Sequence, residues 1–227
     1  NQLLEAIFRH LDGLVVVPVA YSLCKKGILA HLLKEKTSTL AQLTDEFKAN
    51  EGYLNVALRV LASQGFLKYE VDNKSGSVTI STLPNSKFAF SLVPIYEDTF
   101  QLLTQTSVFT ANKMDMDSIA LLEPILKKFT ENYHIHFEED EHLRAIQEQM
   151  LTHIEGYLVG PIVVNLGMTG MFHKYFMESS FRADEFHKHP EAFAKILDFF
   201  VHLGWFSKKN NNYQFTEDGF FFAKRAS

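Results

Sequence analysis

The sequence predicts a mainly α protein made of two winged-helix-like units, each a set of helices plus a small β-hairpin wing, joined by a helical segment. Three observations predict it. Pro18, Leu23 and Gly27 return 143 positions later as Pro161, Leu166 and Gly170. Leu58, Leu61, Gly65, Phe66 and Leu67 return 139 positions later as Leu197, Phe200, Gly204, Trp205 and Phe206. A nearly constant offset with one short deletion is what duplication leaves behind. In both stretches a helical apolar period gives way, after the glycine, to short extended runs around a polar turn. The division this implies is residues 1–90 for the first unit, 91–157 for the connector and 158–227 for the second unit.

The elements follow in order. Leu3, Leu4, Ile7, Phe8 and Leu11 stand at helical spacing, an apolar stripe that needs a partner, and Leu3, Leu4, Ile7 and Phe8 are the candidate face for a homodimer. A second helix is expected from near Val15, with Pro18 in its first turn where the missing amide costs little, ending at a Gly27 cap. Ile28 to Leu33 gives a short helix. Thr39 with Gln42 forms a capping-box pattern for a helix from Leu40 to Lys48, and Asn50 caps a longer one that reaches Gln64 and stops at Gly65. Extended runs at Phe66 to Val71 and Ser77 to Ser81 flank the turn Asp72-Asn73-Lys74-Ser75-Gly76. Helices are then expected at Ile95 to Leu103, at Met114 to Tyr133 with a break at Pro124, and at Glu138 to Tyr157. The second copy supplies a helix from Pro190 to Leu203 and strands near Trp205 to Lys208 and Tyr213 to Thr216, joined by Asn210-Asn211-Asn212. Strand content is expected to be low.

Composition narrows the partners. An apolar fraction of 46% over 227 residues is ample for a packed core. With 22 Lys and Arg against 27 Asp and Glu the net charge is −5, which repels a phosphate backbone, so no nucleic-acid partner is expected. The single cysteine, Cys24, lies in an apolar stretch with no activating base nearby in sequence. It reads as a core residue of a cytoplasmic protein. The run Leu14 to Ala20 is too short to span a bilayer and holds Pro18, and the N-terminal segment lacks a secretory pattern, so no membrane partner is expected. A start at Asn1 and an apolar knot of Phe220, Phe221 and Phe222 just before Ser227 read as a piece of a longer polypeptide. Those three phenylalanines are the candidate surface for docking an adjacent domain.

No catalytic, cofactor-binding or metal-binding residue is assigned. The cluster His134, His136, Glu138, Glu139, Asp140, Glu141 and His142 offers ligands that zinc or iron accepts. Nearly consecutive spacing makes them radiate around a helix start, where acids suit the dipole; a self-contained metal enzyme on this cluster is a third reading of the chain. His187 and His189 precede Pro190 in a loop. A winged helix that regulates transcription places its long helix in the major groove, and that is the second reading. The helix at Glu51 to Gln64 carries only Arg59, and the one at Pro190 to Leu203 sets Lys195 against Glu191 and Asp198, where a strong case needs roughly 6 to 10 phosphate contacts. No glycine-rich strand-turn-helix loop, nucleophile elbow, Walker loop or C-x-x-C pair occurs. Gly167 and Gly170 in LGMTGMF match the Gly27 region of the first copy and are expected to serve helix packing. The rings of Phe172, Tyr175, Phe176, Phe181, Phe186, Phe193, Phe199, Phe200, Trp205 and Phe206 are expected to fill the space between helices. Met168, Phe172 and Phe176 are the candidates for lining a substrate path.

VPVAYSLCKKGILAHL and TLAQLTDEFKANEGYLNVALRVLASQGFLKYE resemble the winged-helix region that precedes the cofactor domain in many methyltransferases. FKANEGYLNVALRVLASQGFL, HIEGYLVGPIVVNLGMTGMFHKYFM and YQFTEDGFFFAKRAS resemble, more narrowly, the start of loading modules in bacterial modular polyketide synthases. The similar regions are the initiation methyltransferases of apratoxin-type synthases and the adaptor region that begins the curacin synthase. The resemblance implies a helical adaptor or lid beside a core that uses S-adenosylmethionine and, in the apratoxin type, a metal, or beside an acetyltransferase-like domain. It implies no cofactor within these residues, because none of them matches the core's glycine-rich loop or its metal ligands. The implied partners are the adjacent catalytic domain of the same polypeptide and an acyl carrier protein.

Overall fold

Gln2–Lys25 forms one continuous helix, α1, where the sequence predicts two. The computed structural model describes residues 2–97, 100, 137–168, 180–186 and 190–226. Pro18 lies inside α1, where it has no amide to give to the Leu14 carbonyl and costs about 3 kcal/mol. Val16, Val17 and Leu23 around it are no more than 5% exposed, and each such buried side chain contributes about 1.5–3 kcal/mol. Packing therefore carries the helix through its proline. The chain turns at Gly27, whose φ of 78° needs a residue without a Cβ.

The described residues fall into two units, one made of those within 9–100 and 137–157 and the other of those within 2–8 and 158–226. In the first, α2 (Ile28–Glu35) leads into a short strand β1 (Thr37–Thr39), then α3 (Leu40–Phe47) and α4 (Glu51–Ser63). The capping box at Thr39 and Gln42 is formed in both directions, and the Asn50 side chain accepts the Tyr53 amide at 3.1 Å. Gly65, at φ 75°, ends the helical run. The wing is β2 (Leu67–Val71) with β3 (Val78–Thr82), tied at its turn by amides of Lys74 and Ser75 on the Asp72 carboxylate. A helix α5 (Ser86–Leu92) and a 3-10 turn (Val93–Ile95) follow. Leu32, Leu43, Leu58, Leu61 and Ile80 are wholly buried and form the centre of this unit.

Helix α6 (Glu141–Met168) runs well past the predicted end at Tyr157 and through Pro161, as α1 runs through Pro18. The two prolines 143 positions apart thus both lie inside helices. The second unit then has β4 (Phe181–Arg182), α7 (Ala183–Phe186), α8 (Pro190–His202), β5 (Phe206–Lys209), β6 (Asn212–Phe215) and α9 (Glu217–Ala226).

The repeat is one of topology. Sheet order is β1-β3-β2 in one unit and β4-β6-β5 in the other, antiparallel throughout. Helices α4 and α8 each have 13 residues. Leu54, Leu58, Leu61, Phe66 and Leu67 are buried, and so are Phe193, Leu197, Phe200, Trp205 and Phe206, each 139 positions later. The second core uses larger side chains at four of those five places. Gly204 repeats the positive φ of Gly65, at 77°.

Strands β1 and β4 and helices α5 and α9 were not expected from the sequence. Thr-Ser-Thr carries no apolar alternation, and β1 exists because the edge of β3 offers it a ladder, with Ser38 opposite Ile80. The helix expected at Met114 to Tyr133 lies outside the described residues, as does most of that at Ile95 to Leu103. Among the described residues no single helix is long and apolar enough to cross a membrane.

Candidate functional site

The outward faces of the wing helices are where a winged helix usually meets its partner. On α4 that face presents Tyr53, 82% exposed, and Val56, 57% exposed, beside the exposed Arg59. Asn55, one position before Val56, accepts the Tyr69 hydroxyl at 2.6 Å and so ties α4 to β2. On α8 the matching positions carry Ala192, Lys195 and Asp198. Asp198 accepts from the Tyr213 hydroxyl at 2.8 Å and from Lys208 at 2.6 Å, and Lys208 lies 5.0 Å over the Tyr213 ring. That lysine's charge is thus engaged within its own unit. Neither face assembles the row of cations that a phosphate backbone requires.

The densest buried polar group of the first unit centres on His153, which is 2% exposed on α6. Its Nδ1 is 3.1 Å from the hydroxyl of Tyr96, itself fully buried, and its Nε2 is 3.0 Å from Gln64 Oε1. Gln149 Nε2 donates to the same oxygen at 3.1 Å. Because Gln64 Oε1 can only accept, the consistent arrangement has Nε2–H donating to Gln64 and Nδ1 accepting from Tyr96. Burial pulls the imidazole down to about 4, and it raises the Tyr96 phenol. The histidine is therefore neutral at physiological pH. A cleft of about 540 Å³ adjoins this group, with Asp12, Gln64, Glu148, Gln149 and Thr152 among its walls. Gly13 makes the arrangement possible: a Cβ there would lie 2.0 Å from the His153 carbonyl oxygen.

His153 does not stand out in the sequence beside the denser His and acid run from His134 to His142. Of that run, His134 and His136 lie outside the described residues. Asp140 proves to be the cap of α6, accepting the amides of His142 and Leu143 at 2.9 and 3.0 Å. Among the described residues no cluster of three or more His, Cys, Asp or Glu is placed to hold a metal ion. The signal for His153 was its place on the stripe Ile146, Met150, Ile154 and Leu158, where a histidine interrupts core positions.

Phe220 is 46% exposed on α9 and meets the ring of Phe215 edge-on; Phe221 is half-buried, and Phe222 is on the same helix. Leu3, Leu4, Ile7 and Phe8 all lie on α1. Met168 is the last residue of α6. Phe172, Phe176, His187 and His189 lie outside the described residues. Cys24 is half-buried near the end of α1.

Comparison with known families adds two findings. Residues 3–69 match the family model described as the AprA N-terminal domain, and residues 155–227 match the one described as the AprA winged helix domain. The first match spans α1 to β2 and the second runs from late α6 to the end of α9, so both agree with the apratoxin-type resemblance. No curated protein matches the chain.

Proposed function

We propose, from a chain that carries an AprA N-terminal domain and an AprA winged helix domain, that it serves as an adaptor or lid region of a polyketide synthase loading module. In this reading it performs no methyl transfer itself and supports an adjacent S-adenosylmethionine-dependent methyltransferase or acetyltransferase-like domain. The observation that carries the reading is the occurrence of these two domain types together on one duplicated winged-helix architecture.

Two features of the fold favour a supporting role. Interior positions of both units go to packing, with aromatic residues filling the second. The polar hub at His153 is satisfied within its own unit and so fastens α6 to Gln64, the cap that ends α4. In the proposed arrangement α9, with Phe220 and Phe221 at its surface, meets the neighbouring catalytic domain. The end of α6 at Met168, with Phe172 and Phe176 beyond it, borders the path of an acyl chain on a carrier protein.

The test is reconstitution. The purified chain, given a malonyl-loaded carrier protein and labelled S-adenosylmethionine, is expected to transfer no methyl group, and adding it to a separately purified catalytic core is expected to raise that core's turnover. Unaided methylation overturns the reading, and so does a core indifferent to the chain's presence.

A further inference from the structure

Ser38, His31 and Glu46 are joined in the first unit by contacts that the winged-helix architecture does not demand. The Ser38 hydroxyl lies 3.3 Å from His31 Nε2, and His31 Nδ1 lies 2.9 Å from Glu46 Oε1. The imidazole is set edge-on against Phe47 with ring centres 5.4 Å apart. Three separate elements, α2, β1 and α3, deliver these residues. All three line one cleft of about 440 Å³, together with Lys34 and Gln42.

The duplicate supplies a control. Ser38 stands opposite Ile80 in β3, and the residue in the same register of the second sheet is Phe181, opposite Tyr213 in β6. Phe181 is 2% exposed and packs against Phe206 and Tyr213. The fold is closed there by an aromatic ring in one copy, whereas the other copy places a hydroxyl, 5% exposed and hydrogen-bonded to a histidine.

We propose that Ser38, His31 and Glu46 form an acyl-accepting triad for short acyl esters or thioesters. The order of contacts is that of a nucleophile, a base and a group that orients the base. Glu46 accepts the Nδ1 proton, which leaves the Nε2 lone pair facing the hydroxyl. As Ser38 Oγ attacks the acyl carbonyl carbon, its proton passes to His31 Nε2. The carbon–oxygen or carbon–sulfur bond to the leaving group breaks, and the departing alcohol or thiol takes that proton. Water, deprotonated by His31 in the same way, then releases the acid and restores the serine. Helix α3 begins two residues after Ser38, so its electropositive end lies close in sequence to the nucleophile. Glu46 is a positioning residue in this scheme. The activity is independent of the adaptor reading, since it uses neither a methyl donor nor a neighbouring domain.

The full chain is treated with a fluorophosphonate probe and, separately, with p-nitrophenyl acetate. Peptide mass mapping is expected to place the phosphonyl adduct on Ser38, and S38A is expected to lose both that adduct and the esterase activity. Glu46 has a side chain 53% exposed, so Glu46→Gln should keep the circular dichroism spectrum and the cleft while slowing Ser38 labelling at least about tenfold. An unlabelled Ser38 in the folded wild-type chain overturns the proposal. Equal labelling rates for wild type and E46Q also overturn it, because a merely structural carboxylate predicts that result.

Discussion

His153 holds its neutral form because desolvation outweighs everything else around it, and this gives the first unit a defined response to acid. Its pKa falls from 6.5 to about 4 on folding. A histidine depressed in this way contributes stability that is fully present above the unfolded value of about 6.5 and is lost as pH falls towards 4, because the unfolded chain binds the proton first. The shift corresponds to roughly 3 kcal/mol over that window. Urea denaturation of wild type and His153→Gln between pH 7 and pH 4 should show a steeper loss of stability in the wild type. Parallel curves for the two proteins would remove His153 as the source. At this scale the sequence was only half legible: a histidine on a core stripe was visible, but Tyr96 and Gln64, 57 and 89 positions away, were not identifiable as its partners.

At the scale of elements, what the sequence revealed were the stops and starts encoded within four residues. The Thr39 box, the Asn50 cap and the glycines at 65 and 204 all stand where local chemistry puts them. Elements that depend on distant partners were hidden. Strand β1 is set by β3, more than forty residues later, and the continuity of α1 through Pro18 is set by the buried side chains around it. The cap at Thr39 has a measurable weight. Thr39→Ala removes the acceptor for the Gln42 amide, 3.2 Å away, and should cost about 1 kcal/mol of unfolding free energy. Because β1 ends at Thr39, the same change should speed amide hydrogen exchange at the start of α3 before it affects α4. A uniform rise across α3 and α4 would mean that the cap does not control this helix separately.

Across the whole molecule, duplication was legible because Gly65 and Gly204 and the core residues around them kept their spacing. The matching positions of the two wing helices carry different residues, Tyr53 and Val56 in one and Ala192 and Lys195 in the other, while the two sheets keep one topology. On the first helix the apolar stripe of Leu3, Leu4, Ile7 and Phe8 continues through Leu11 to Val15. Leu11 is 41% and Val15 48% exposed, and with Leu4 and Phe8 they repeat at the alternating four-and-three spacing of a helical seam. If α1 pairs with α1 of a second copy, Leu11 and Val15 enter the interface and charge there is costly, since two carboxylates per chain would be buried unpaired. Sedimentation of the wild-type chain should then show a dimer at micromolar concentration, and the double variant Leu11→Glu, Val15→Glu should be monomeric with the same helical content. A variant that remains dimeric places the contact elsewhere, and a wild-type chain monomeric at the same concentration shows that the stripe serves some other end than self-association.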